Sequence, residues 1–480
     1  MLNRITLDNS YNYLSINLLL KIQTPLTNKI MKRIFTVLSF LFFLPFFSSA
    51  QNYNSAELEF ITEQNVLVRN WNDKDVVSLV YSDGYRFVCT DFYQFLGPYS
   101  SSGFVAPTIY SDPLPREYAI TDFKILNDTV FFCGSKNLST IPETFCGIVG
   151  YFPLNQFMLG NITPHIFEIP AASYFRRLVA YRHNGVHKVV ALGKSFTIAD
   201  YCAILETFDI LSTLPIFKMY EIDYSPNKEI YDDVLYTGNR VVLVGTMELG
   251  ANARPIVRIS DKPEDIASTT LFDSLFYFYL YSNEINARTR SVVLDDGLIA
   301  MSYVHVETGT PQTFFKRLRV IDTDVLPMPL NINSHETRIS DKMETAEMAY
   351  SSRLKKLVLL QEPFVAFTDD PLFYYLEPYN NYSYFADETY FSHGNLYRSI
   401  DIYNSDNFVS VGMEKAYLQY IPTHTNLGCP FEAQVRMDRI PDLTTGFDRN
   451  PPRFIPVTNT LVTPVLSTHA AKWVPVCHTY

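Results

Sequence analysis

Apolar and polar positions alternate with a period near two along most of this chain, in short runs broken by Gly, Asn, Asp and Pro. Such alternation marks half-buried strands, because successive side chains point to opposite faces of a sheet. Few windows carry an apolar stripe at 3.6-residue spacing, and turn residues interrupt nearly every one. The pattern predicts an all-β fold.

One hairpin pattern recurs seven times. The clearest copies are ITDFKILNDTVFFCG (120–134) and YDDVLYTGNRVVLVG (231–245). Each holds an acid, a mostly apolar run, a polar turn, a second apolar run and a glycine. The acid-to-glycine distance is twelve in both, from Asp122 to Gly134 and from Asp233 to Gly245. The others are SLVYSDGYRFVCT (78–90), RLVAYRHNGVHKVVALG (177–193), RSVVLDDGLIAMS (290–302), AYSSRLKKLVLLQ (349–361) and SIDIYNSDNFVSVG (399–412). Pairs such as Asp83-Gly84, Asn184-Gly185 and Asp296-Gly297 lie between the runs and suit the positive φ of a tight hairpin. A small unit of this kind cannot bury its apolar face alone and stacks on its neighbours. The repeat predicts a seven-bladed β-propeller of four-stranded antiparallel blades, with six or eight blades as alternatives. Residues 56–62 (AELEFIT) are placed to complete the last blade.

The ends read differently. MKRIFTVLSFLFFLPFFSSAQ, from Met31, has a basic start, an apolar core and a small-residue cleavage site, the pattern of a secretory signal peptide over residues 31–50. Residues 1–30 read as an upstream extension and residues 51–430 as the propeller. Residues 431–480 are rich in Pro and read as an extended tail packed on it. No later run is long enough for a transmembrane anchor. The expected destination is the periplasm, the cell surface or the medium.

Charge narrows the partners. The first fifty residues hold five basic groups and one acid, which leaves 34 Lys+Arg against 49 Asp+Glu, a net −15. An acidic domain is a poor match for nucleic acid, where cations must neutralise phosphates. Protein or glycan partners remain, and a monomer is expected. An oxidising compartment permits disulfides. Cys133 closes a strand and Cys146 opens the next, so a Cys133–Cys146 bridge is expected. A Cys429–Cys477 bridge would staple the tail, and Cys89 and Cys202 are left free. Spacing alone does not fix connectivity.

In many propellers the first strand of each hairpin lies innermost. The residue opening it is then Ser78, Asp122, Arg177, Asp233, Arg290, Ala349 or Ser399. Four consecutive units present acid, base, acid, base. Two readings stay open: a ring of salt bridges between blades, or a polar axial pocket bordered by Asp122, Arg177, Asp233 and Arg290, where the Arg177–Arg290 pair holds a carboxylate or sulfate. His183 and His187 flank a turn, but two imidazoles do not make a metal site. His424, Cys429, Cys477 and His478 favour a disulfide over zinc. No nucleophile elbow, HExxH or P-loop occurs, so neither metal nor cofactor is expected.

The leader ending SSAQ, the abundance of Tyr, Phe and Asn, and units of the type ITDFKILNDTVFFCG followed by GIVGYF resemble the secreted β-propeller proteins of Bacteroidetes-type bacteria. The resemblance spans roughly residues 31–430 and carries over no catalytic residue. It implies an exported propeller. The expected function is a non-enzymatic protein- or glycan-binding scaffold of the envelope; the alternative is a glycan hydrolase or lyase with its site in the axial funnel.

Overall fold

The computed structural model describes residues 55–58, 64–72, 75–91, 106–140, 143–195, 202–222, 228–238, 240–249, 252–260, 274–277, 289–307, 313–323, 333–339, 343–353, 355–363, 372–376, 384–390, 397–403, 407–412, 417–422, 432–440, 447–448 and 452–475. The leader and residues 1–30, with His424, Cys429, Cys477 and His478, lie outside the described residues. The fold is all-β and its sheets are antiparallel. No described helix is long and apolar enough to cross a membrane.

The strands fall into seven consecutive meanders, here called units one to seven. Their first strands are Gln64–Asn70, Tyr118–Leu126, Ala172–His183, Lys228–Tyr236, Arg290–Val293, Met343–Ser351 and Tyr397–Tyr403. Each pairs with the strand that follows it in the chain, and a third and fourth strand complete the meander. In unit three these are Val186–Ser195, Cys202–Phe208 and Ile216–Ile222. In unit seven the fourth place is filled from the other end of the chain. Ser55–Leu58 pairs there with Tyr417–Pro422, Ala56 opposite Leu418.

Each first strand packs on the first strand of the next unit, and that of unit seven packs back on that of unit one. Between units the packing is apolar. Phe87 of unit one meets Phe123, Phe132 and Phe152 of unit two at 4.8–5.9 Å between ring centres. Further clusters join units two and three, three and four, and four and five. These strands carry apolar side chains on both faces, such as Val189 to Leu192, all buried. That is what a sheet covered on both sides requires.

The segment 432–475 does not lie over one face. It runs round the outer edges of the units in reverse order. Glu432–Ile440 pairs with the outermost strands of units five and six together. Phe447–Asp448 pairs with unit four, Arg453–Ile455 with unit three and Thr460–Val462 with unit two. Leu466–Pro475 bridges the fourth strands of units one and seven. Pro452, Pro456 and Pro464 fall between the segment's strands, where no ladder donor is needed. Every unit thus has its open edge paired.

Two expectations need correction here. SLVYSDGYRFVCT is not the first hairpin of unit one; Asp75–Tyr81 and Tyr85–Asp91 are its second and third strands, and Ser78 lies on the second. The Cys133–Cys146 bridge does not form. Both are buried free thiols. The register sets Cys133 opposite Val149 and Cys146 opposite Lys136, which separates the two along the ladder. Cys133 belongs instead to the apolar packing between units two and three.

Candidate functional site

The first strands share one irregularity. In six of the seven, an extra residue bulges from the pairing with the second strand. The ladder skips from Ile120 to Asp122, Phe175 to Arg177, Tyr231 to Asp233, Thr345 to Glu347 and Tyr397 to Ser399. A bulge sets two residues against one and re-aims the side chains beyond it. Just before it the partner strand carries glycine: Gly134 faces Ile120, Gly193 faces Phe175 and Gly245 faces Tyr231. A Cβ on Gly134 would stand 1.8 Å from the Ala119 carbonyl oxygen, and one on Gly193 1.8 Å from that of Tyr174. The recurrent acid-to-glycine spacing is therefore the mark of a bulge and of the close backbone approach beside it.

The bulged residues tie neighbouring units together. Thr121 Oγ1 donates to the Phe175 carbonyl at 2.6 Å. Arg176 pairs with Asp232 at 3.4 Å, and Asp232 accepts the Thr289 N–H at 3.1 Å. The residues after the bulges tie the same units on the inner side. Asp122 accepts the Leu178 N–H of unit three at 3.1 Å, and Asp233 accepts the Ser291 N–H of unit five at 3.0 Å. Ser399 accepts the Val68 N–H of unit one at 3.2 Å. The last of these contacts joins the end of the repeat to its beginning.

Arg69 is the hub of the group. Its guanidinium donates to Asp122 at 3.1 Å, Glu347 at 2.7 Å, Ser399 at 3.1 Å and the Phe123 carbonyl at 3.0 Å. One buried side chain from unit one so contacts units two, six and seven. Arg177 approaches Asp122 more loosely, at 3.8 Å. Burial alone would raise the Asp122 pKa, but Lys124, Arg177 and Arg69 outweigh it and hold the carboxyl below its usual value. Glu347 is lowered in the same way: burial opposes, while Arg69, Arg177 and Lys124 prevail. Burial would lower Arg69, yet Glu347 and Asp122 raise it. All three are charged at neutral pH.

A cavity of about 300 Å³ adjoins this cluster, with lining residues from all seven first strands. Side chains two apart on a strand share a face, so the lining forms two tiers. The lower tier holds the residues after the bulges: Arg177, Asp233, Arg290 and Glu347. Asp122 is at the same level but fully buried, behind Arg69 and Arg177. The upper tier lies two residues further on. Asp401, Arg69 and Lys124 of units seven, one and two are charged; Val179, Leu235, Val292 and Ala349 of units three to six are apolar.

Of the four sequence-predicted residues, Arg177, Asp233 and Arg290 line the cavity, and Asp122 and Arg177 form an ion pair. Arg290 donates to the Asp232 carbonyl at 3.3 Å. Reading by phase missed Arg69, Lys124, Glu347 and Asp401. Ala349 belongs to the upper tier, and the bulge between Thr345 and Glu347 marks the lower one. His183 and His187 flank a turn in which Asn184 and Gly185 have φ of 49° and 83°. His187 contacts Asn127 at 3.2 Å and His183 contacts the Tyr236 hydroxyl at 3.5 Å. No group of three or more metal-ligating side chains occurs among the described residues.

No protein-family model and no curated protein matches this chain.

Proposed function

We propose that the chain is an exported, monomeric seven-bladed β-propeller that acts as a binding or scaffold module for a protein or glycan of the cell envelope. The ring of first-strand contacts, with the fourth strand of unit seven drawn from the start of the chain, supports the propeller reading. The leader pattern at Met31 supports export.

One observation carries the choice of binding over catalysis. The carboxylates at the centre are engaged, and those of Asp122 and Glu347 are held below their ordinary pKa. Glycoside hydrolysis requires one carboxylic acid whose pKa is raised so that it can protonate the leaving group. Asp122 and Glu347 are shifted the other way, by Arg69 and its neighbours. Asp233 accepts the Ser291 N–H and hydroxyl at 3.0 and 3.1 Å, which fixes it as a tie between units. Such a centre favours a fixed geometry over a general acid poised to protonate a leaving group.

The test is a glycan array probed with the purified exported chain, followed by incubation with each ligand retained. Retention without new reducing ends is the expected result. Release of product that disappears in Asp233→Asn or Glu347→Gln would overturn the reading in favour of a hydrolase or lyase.

A further inference from the structure

We infer that the cavity inside the ring takes a small monocarboxylate with an aliphatic body, its carboxylate held by Lys124 and Arg177 and its body against Val179, Leu235, Val292 and Ala349. The inference rests on the binding reading above and names the ligand class of its central site.

The upper tier is divided. Four neighbouring units contribute only aliphatic side chains there, and the remaining three contribute only charged ones. The upper tier, made of one arc of each kind above a charged lower tier, matches a molecule with one apolar and one charged end. A sugar, with hydroxyls around its whole rim, would leave several of them unpaired against the aliphatic arc. The volume, about 300 Å³, is at the lower limit of ligand pockets and fits a small molecule.

The charge on offer is positive. The acidic side chains of the lining are engaged: Glu347 by Arg69 and Ser399, Asp233 by Ser291, and Asp401 by the Asn70 N–H at 2.8 Å. Arg69 is itself held by five groups. Lys124 forms no hydrogen bond or ion pair within 4.0 Å with a described residue, although its charge acts on both Asp122 and Glu347. Within 4.0 Å Arg177 meets only Asp122 among the described acids, at 3.8 Å, and Asp122 is already paired with Arg69, while Asp233 and Glu347 act on Arg177 from further off. Lys124 and Arg177 sit on adjacent units, one tier apart, beside the start of the aliphatic arc at Val179. A carboxylate between them would gain two charge-assisted hydrogen bonds. An ammonium group finds no acidic partner of equal freedom, so a carboxylate is preferred to a zwitterion.

The experiment is isothermal titration calorimetry of the full chain with sodium 4-methylpentanoate, 4-methylpentan-1-ol, L-leucine and glucuronate. Saturable one-to-one binding of 4-methylpentanoate, tighter than that of the other three, is expected. Lys124→Gln should weaken it about tenfold or more, as loss of a charge-assisted bond implies. Leu235→Asn should weaken it too, while both variants keep the circular dichroism spectrum and melting temperature of the parent. If the Leu235 variant fails to fold, Val292→Thr serves in its place. Equal or tighter binding of the alcohol, L-leucine or glucuronate overturns the inference, as does unchanged affinity in Lys124→Gln. Glycan retention on the array without carboxylate binding overturns it and leaves the binding module standing; glycan cleavage overturns the module.

Discussion

Arg69 and Asp122, on the first strands of units one and two, meet at 3.1 Å with almost no exposure to water. Glu347 completes the group from unit six at 2.7 Å. Three charges from distant parts of the chain share one desolvated spot. Taking them out of water costs several kcal/mol per ion, which mutual attraction and further hydrogen bonds offset only while all three are present. Arg69→Leu strands Asp122 and Glu347 together without their central cation. A loss of about 3–5 kcal/mol is expected, read as a lowered urea midpoint. Arg177→Gln, whose contact to Asp122 is looser, should cost clearly less. Equal losses would mean that Arg69 is not the hub.

Acid should undo the same group. Asp122 and Glu347 have folded-state pKa values below their ordinary ones. A group depressed on folding adds stability above its unfolded pKa and loses it as pH falls through the folded value. The contribution is thus complete at neutral pH and is lost on going below about pH 4. Urea midpoints measured from neutral to acid pH should fall over that window. Asp122→Asn should begin lower and fall less. A parallel fall in both proteins would show that Asp122 does not titrate with a depressed pKa.

Gly193 tests the bulge. A methyl group there would sit 1.8 Å from the Tyr174 carbonyl oxygen, on backbone that yields little. Gly193→Ala should cost about 1–3 kcal/mol, the usual price of overpacking, seen by differential scanning calorimetry. Gly185 offers the contrast: its Cβ would meet nothing within 4 Å, and the penalty would come only from its φ of 83°. A neutral Gly193→Ala would remove the explanation given for the recurrent glycine.

How much of this could be read in the chain depends on how local each cause is. The Asp122-to-Gly134 interval was legible because a hairpin, a bulge and a glycine all lie within one continuous stretch. Glu347 was not, since the strand facing its own has Gln361 opposite Thr345, where units two, three, four and seven have glycine, and the phase slipped by two residues to Ala349. Arg69 was hidden for a related reason. Its strand, QNVLVRN, faces Asp75–Tyr81 across a turn without a glycine, so the next hairpin looked like the better match. The cysteine expectation failed on register, which neighbouring positions in sequence do not set. Strands such as Arg453–Ile455 and Thr460–Val462 have too few residues for any periodicity. They owe their conformation to the sheet edges they pair with.

Removal of the rim segment gives the fourth prediction. A chain ending at residue 431 lacks the strands that pair with all of the outer edges. Unpaired edges invite pairing between molecules. The shortened chain should pass from a single peak to higher oligomers in size-exclusion chromatography as its concentration rises. A monomer of unchanged stability would show that the rim strands are dispensable.

The reverse order of that segment around the rim also bears on biosynthesis. A ribosome delivers the seven meanders first and the strands that border them afterwards. No unit reaches its final hydrogen-bonded outline until all seven have been made, and those made earliest, units one and two, are among the last to be bordered. Between those moments the nascent protein carries a full circumference of exposed strand edge, a vulnerable period for aggregation. Passage through a membrane before that border is laid down would keep the chain in a form that can still be threaded.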